Sequence, residues 1–288
     1  MYLPIIEGLL VALLFGVSDY FAGKSSKAVG QYSTTIYVLL FSTVILLIAL
    51  LFTGINTMLS AEVIGIAVLF SFIFFMAQLF AFKAFRYGNL SITAPIVGTY
   101  PVVTVIGAVF LLGAFLSPQE IVSIALIILG VILVSTKFSD FRTKNKITVA
   151  GVGSALISLV FFGIFAIYLG VYAAIIGFTL IIFISRALGA GIGFITGYAT
   201  KQDLSFPSKK YVYPLAIAGV TDAFAALTFS YGTSVKSANL PIIAALAGIA
   251  GGVTVLCAFV LLKERPEKNQ WLGIILVMIG VAVLSYFS

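Results

Sequence analysis

Long apolar runs separated by short polar breaks recur along the whole chain. Runs of about 20 residues have the length a helix needs to cross a hydrocarbon layer about 30 Å thick. They fall at about 5–22, 32–53, 62–85, 91–113, 119–136, 148–168, 174–199, 212–230, 239–262 and 268–286. Gly54, Asn56, Pro118, Asp203, Pro207, Pro214 and Pro266 punctuate the breaks, as turn and helix-start residues do. A β-barrel needs short alternating segments, whereas these runs are continuous, so backbone groups must be satisfied within helices. The pattern predicts an all-α integral membrane protein with ten transmembrane helices.

The most basic ten-residue stretch, KFSDFRTKNK at Lys137–Lys146, sits near the midpoint and divides the chain into residues 1–140 and 141–288. Each half holds five predicted spans. A shift of 150 lays Ile124 on Ile274, Leu126 on Leu276, Gly130 on Gly280, Val131 on Val281 and Ser135 on Ser285. Because five is odd, two such halves in one chain face opposite ways, giving inverted five-helix repeats.

Composition sharpens the class. The chain is 62% hydrophobic and 9% charged, with a mean hydropathy of +1.23, which leaves too little polar surface for a soluble globule. Cys257 is the single cysteine and histidine is absent, so neither a disulfide nor a thiol-ligated metal centre is expected. There is no P-loop and no acidic cluster for a magnesium–diphosphate substrate, and no cofactor is expected. The net charge of +7 is not a nucleic-acid signal, because Lys and Arg sit in the breaks between apolar runs. Alternate breaks share a side: one side holds 14 of the 16 Lys and Arg, the other only Lys236, and Arg186 lies within a span. Positive charge marks the cytoplasmic side, so both termini are expected outside a plasma membrane. The opening MYLPIIEG has no basic n-region, and the first run reads as a retained helix.

Charges at membrane depth are the most informative positions, since a central Asp or Arg costs roughly 2.5–3.5 kcal/mol on insertion scales. Arg186 and Asp222 both fall near the middle of their spans; they either pair or flank a zwitterionic solute. A poorly solvated Asp222 would also carry a proton. Aligning Gly88 with Gly232, a shift of 144, places Gln78 on Asp222. Asp19 is expected near the cytoplasmic end of the first span, either snorkelling or pairing with Lys24, or acting as a gating or coupling carboxylate. Glu7 reads as interfacial.

The fourth span carries Pro95, Gly98, Pro101 and Gly107, and the ninth carries Pro241, Gly248, Gly251 and Gly252. Interrupted segments at matching places in two halves point to a binding site, because unwound turns expose backbone groups. Thr93, Thr99, Tyr100 and Asn239 would add donors and acceptors there. Ser185, Gly189, Gly193 and Gly197 recur every four residues and read as close helix packing. Tyr20, Tyr168, Tyr172 and Tyr231 either line an amphipathic cavity or join the interfacial belt.

The segments FRYGNLSITAPIVGTYP, LLGAFLSPQE and LGVILVS, echoed by FSYGTSVKSANLP, LLKERPEKNQWLG and IGVAVLS, resemble the EamA-type members of the drug/metabolite transporter superfamily. The resemblance covers nearly the whole chain. It implies ten helices in two inverted repeats around a central solute cavity, no nucleotide-driven motor, and export of amino acids or related metabolites. Two features depart from the family pattern. Gly113-Ala114 stands where Gly-Glu is usual, and the loop charge places outside the termini that familiar members keep in the cytoplasm. The expected function is secondary active transport of small polar or amphipathic organic solutes by alternating access. The expected partners are a small-molecule solute, the lipid bilayer and protons as coupling ion, without nucleic acid, in a monomer or homodimer. A channel would show a polar stripe on several helices. An intramembrane aspartyl protease lacks support because Gly219-Val220-Thr221-Asp222 is not Gly-x-Gly-Asp, and Asp19 and Asp222 are expected at different depths.

Overall fold

The computed structural model describes residues 3–54, 60–88, 90–113, 115–135, 146–235, 239–262 and 267–287. Most of the basic hinge, together with Asn56, Ala114, Lys236 and Lys263–Pro266, lies outside them. Among the described residues twelve helices run in chain order: α1 Leu3–Val29, α2 Gln31–Thr53, α3 Ala61–Tyr87, α4 Leu90–Gly98, α5 Pro101–Leu112, α6 Pro118–Ser135, α7 Lys146–Ile176, α8 Phe178–Ala199, α9 Lys209–Val235, α10 Leu240–Ala247, α11 Ala250–Leu262 and α12 Lys268–Phe287. Among the described residues seven apolar stretches are long enough to cross a bilayer, counting Leu240–Val260 as one, and Ile96–Leu112 and Pro118–Gly130 are shorter apolar stretches. The outer surface suits lipid: Phe52, Phe110 and Val260 are each more than 75% exposed. The molecule is a multi-pass membrane protein.

Several helices outrun the lengths expected from hydropathy. Hydropathy predicts a first span over 5–22, yet α1 continues to Val29. Its polar end stays helical because Ser25 Oγ and Ser26 Oγ each donate at 2.9 Å to carbonyls of the same helix, those of Phe21 and Gly23. Likewise α7 runs to Ile176. Both long helices stop at a glycine with positive φ, Gly30 (87°) and Gly177 (97°), where a side chain would be strained.

The fourth and ninth expected spans are each broken in two, and the breaks are tight turns, not unwound backbone. Between α4 and α5, Thr99 N–H donates to Ile96 O and Tyr100 N–H to Val97 O, at 3.2 and 3.1 Å. Between α10 and α11, Ile249 N–H donates to Leu246 O at 3.0 Å. Donors bonded three residues back leave little free backbone for a solute. Pro101 opens α5 after the first break. Pro241 opens α10, a full helix before the second break, and Pro95 lies inside α4.

The two halves answer each other contact for contact. A Cβ built on Gly98 would meet Gly248 O at 2.9 Å, and one on Gly248 would meet Gly98 O at 2.7 Å. Gly130 packs on Gly273 and Val277, while Gly280 packs on Ser123 and Ile127. Gly16 packs on Ala250 and Val253, and Gly163 on Tyr100 and Val103. Thr254 Oγ1 donates to Gly16 O at 3.1 Å, and Thr104 Oγ1 to Gly163 O at 3.5 Å. Each contact reappears with partners exchanged, as a local twofold relation requires. At helix level α1 packs on α9 as α7 packs on α3, and α6 pairs with α12.

Candidate functional site

Arg186 enters from α8, where Ser185, Gly189, Gly193 and Gly197 let the helix lie close to its neighbours. Gly189 touches Leu39 and Phe75, and Gly193 touches Ile36 and Phe75. The close approach of α2, α3 and α8 buries Arg186, which is 1% exposed. Its Nε donates to Asp222 Oδ2 at 3.2 Å and its Nη2 to Asp222 Oδ1 at 3.4 Å. Ser42 Oγ donates to the same Oδ2 at 2.8 Å. The guanidinium also lies 3.9 Å from the centre of the Phe74 ring, a desolvated cation–π contact. Nη1 is buried without a hydrogen-bond partner among the described residues.

The buried pair borders a cavity of about 70 Å³. Asp19, Gln78, Tyr100, Arg186 and Asp222 all line it, with Gly98 and Gly251 from the two broken spans. Phe15, Phe74, Phe162, Phe165 and Phe229 supply most of its apolar wall. Asp19 was expected near a membrane surface. In the longer α1 it stands 16 residues after Leu3 and 10 before Val29, in mid-span. No hydrogen bond or ion pair reaches it from the described residues, and Lys24, five residues on, is about 7.5 Å further along the axis.

The expected difference in depth between Asp19 and Asp222 therefore does not hold, for both reach one cavity. They do not form a pair of carboxylates sharing one proton, because both oxygens of Asp222 are held by Arg186 and Ser42. Thr99 and Asn239 stand apart from the cavity lining. Thr99 Oγ1 donates to Ile96 O at 2.6 Å within its own turn, and Asn239 precedes α10 as its N-terminal cap residue. Thr93 is buried off the cavity. Glu7 is 6% exposed and packs against Gly232. Tyr20 and Tyr168 are buried, Tyr168 stacked at 3.9 Å on Phe70, whereas Tyr231 is exposed.

Ser42 and the phenylalanines were missed by the sequence reading. A signal for them existed. Ser42 precedes Arg186 by the same 144 residues that separate Gln78 from Asp222. The offset of 147 that relates Gly16 to Gly163 carries Phe15 onto Phe162 and Asp19 onto Ala166, and all four line the cavity.

A second, polar cavity of about 440 Å³ lies at the turn between α1 and α2, lined by Arg86, Lys201 and the 202–208 connection among others. Here the connection is strapped to α2: Ser33 Oγ donates to Asp203 O at 2.7 Å, and Tyr37 OH to Leu204 O at 3.4 Å. The Tyr37 ring meets Phe206 edge-on at 5.5 Å. Arg86 Nη1 donates to Gln31 Oε1 at 2.6 Å. Ser205 N–H donates to the Asp203 carboxylate and holds its pKa below the ordinary 3.8.

Comparison with known proteins agrees with this architecture. A solved structure described only as "Crystal structure of protein" superposes with a TM-score of 0.79 at 15% identity, covering 97% of this chain and 95% of its own; at that identity the likeness speaks to fold alone. No match was found among curated protein sequences. The sequence pattern described as "EamA-like transporter family" matches twice, over residues 3–136 and 148–286. Two matches, one per half and together spanning nearly all of the chain, agree with the exchanged contacts: the chain belongs to the EamA-like transporter family.

Proposed function

We propose that this protein is a secondary active transporter that exports small polar or amphipathic organic solutes, such as amino acids or related metabolites, across the plasma membrane by alternating access. The observation that carries the reading is the mid-span cavity, walled by both halves, where a buried ion pair and an unpaired carboxylate meet the two broken spans. About 70 Å³ holds a few water molecules and falls well short of the roughly 300 Å³ or more of a small-molecule pocket. A solute therefore enters only if the walls move. The twofold-related contacts supply the means, since two inverted halves rocking about Gly98 and Gly248 open the cavity first to one side and then to the other.

Within the site, Arg186 and Asp222 shape and polarise the cavity, Gln78 and Tyr100 offer hydrogen bonds, and Asp19 takes the coupling role. Asp19 suits a proton because its carboxylate has no competing cation among the described residues, whereas Asp222 is held by Arg186. On this reading the strapped end of the bundle is cytoplasmic and both termini are external. Reconstitution into proteoliposomes tests the proposal. Saturable flux of an amino acid or amine is expected, accelerated by a pH gradient and lost in Asp19→Asn. Flux that never saturates, or that ignores both the gradient and Asp19→Asn, overturns the coupled-carrier mechanism.

A further inference from the structure

The charges of the cavity do not balance. Three ionisable side chains of opposite sign reach it, Arg186, Asp222 and Asp19, and Tyr100 is the other titratable group facing Asp19. Arg186 and Asp222 neutralise each other with two hydrogen bonds, and Ser42 takes a further lone pair of Asp222. Of the cavity's three charges, Asp19 alone has no counter-ion among the described residues. A lone carboxylate held away from bulk water is costly, and the cost is relieved by a proton or by a cation brought next to it.

The rest of the wall selects which cation. Phe15, Phe74, Phe162, Phe165 and Phe229 present ring surface, which binds apolar bodies and attracts ammonium groups. A metal ion would need several oxygen ligands, and no group of three or more acidic, histidine or cysteine side chains occurs among the described residues. An anion finds no free counter-charge: Arg186 is paired with Asp222 and covered by Phe74, and its remaining Nη1, without a hydrogen-bond partner among the described residues, is fully buried.

We infer that the solute of this site is an amphipathic organic amine, with its ammonium on the Asp19 carboxylate and its apolar body against the phenylalanines. The inference rests on the transporter reading for its setting but concerns binding, so the two fail separately. Solute and proton compete for one carboxylate, so arrival of the amine displaces the proton.

Calorimetric titration of the full-length protein in nanodiscs at neutral pH tests this with four compounds of one shape. Phenethylamine carries the cation, phenylalanine both charges, phenylpropionate the anion, and phenethyl alcohol none. Phenethylamine is expected to bind at least about tenfold more tightly than phenylalanine or phenethyl alcohol, with phenylpropionate weakest. Asp19→Asn, with an unchanged melting temperature, is expected to erase the preference for the amine over the alcohol, and Asp19→Glu to retain it. Failure of phenethylamine to bind overturns the inference. So does tighter binding of phenylalanine, which would make Arg186 Nη1 a second arm, or an amine preference that survives in folded Asp19→Asn. Flux of another solute, independent of Asp19, would sink the amine and leave the transporter; amine binding with no flux of any solute would do the reverse.

Discussion

The two halves offer the same frame and different chemistry. Equivalent positions hold Ser42 and Gln78 in the first half but Arg186 and Asp222 in the second, at a common offset of 144 residues. On the long helices the imbalance runs the other way, with Asp19 in α1 and Ala166 in α7. Yet Gly98 and Gly248 meet at equal distances to within a few tenths of an ångström. Duplication has therefore kept the crossing of the broken spans symmetric while letting each wall position take its own polarity. Geometry is shared between the halves, and charge is divided among them.

The largest test of this division removes one member of the buried pair. Arg186→Ser or Asp222→Gln alone is expected to cost about 3–5 kcal/mol, because each leaves an uncompensated charge in the interior. Giving the second half the residues of the first, Arg186→Ser with Asp222→Gln, should cost less than either single change. Thermal unfolding of the four proteins forms a double-mutant cycle, and additive losses would mean that the pair is not coupled. Next come the symmetric glycines. Gly98→Ala and Gly248→Ala should each destabilise by about 1–3 kcal/mol, by similar amounts, since each new methyl meets the carbonyl oxygen opposite. Gly65→Ala, with nothing within 4 Å, should be neutral or stabilising by up to about 1 kcal/mol. Unequal effects at the two crossings would break the symmetry.

A carboxylate transplant sharpens the comparison from the side of chemistry. Asp19→Ala should abolish amine binding, and adding Ala166→Asp should recover it to within about tenfold, or 1.4 kcal/mol, if the twofold-related site faces the same space. The smallest effect is expected at the strap. Ser33→Ala removes one hydrogen bond, worth about 1 kcal/mol, from the contact with Asp203 O. Greater protease sensitivity of the 202–208 connection, with little change in the global melting temperature, is the expected readout.

Much of this was legible from hydropathy and self-similarity. Apolar runs place most of the helices, and offsets of 144 and 150 residues place Gln78 opposite Asp222 and the closing helices opposite each other. Helix length was not legible, because Ser25 and Ser26 look like a break until their hydroxyls are seen to bond within the helix. That error pushed Asp19 toward the membrane surface. Tight turns at the broken spans were equally hidden: Pro and Gly announce an interruption but do not say whether the backbone unwinds or shortens its hydrogen bonds. The wall of phenylalanines escaped notice because 26 of them are spread along the chain, and only three-dimensional proximity picks out the few that matter.

The contact between Gly98 and Gly248 sets main chain against main chain, with only the Pro101 ring wedged beside it. Ordinary helix pairs mesh ridges with grooves, which favours a small set of crossing angles. Under the proposed rocking motion a joint so nearly bare would act as a bearing: the angle between the halves could change at little enthalpic penalty, and the pace would be set by the cargo and by the strapped end of the bundle.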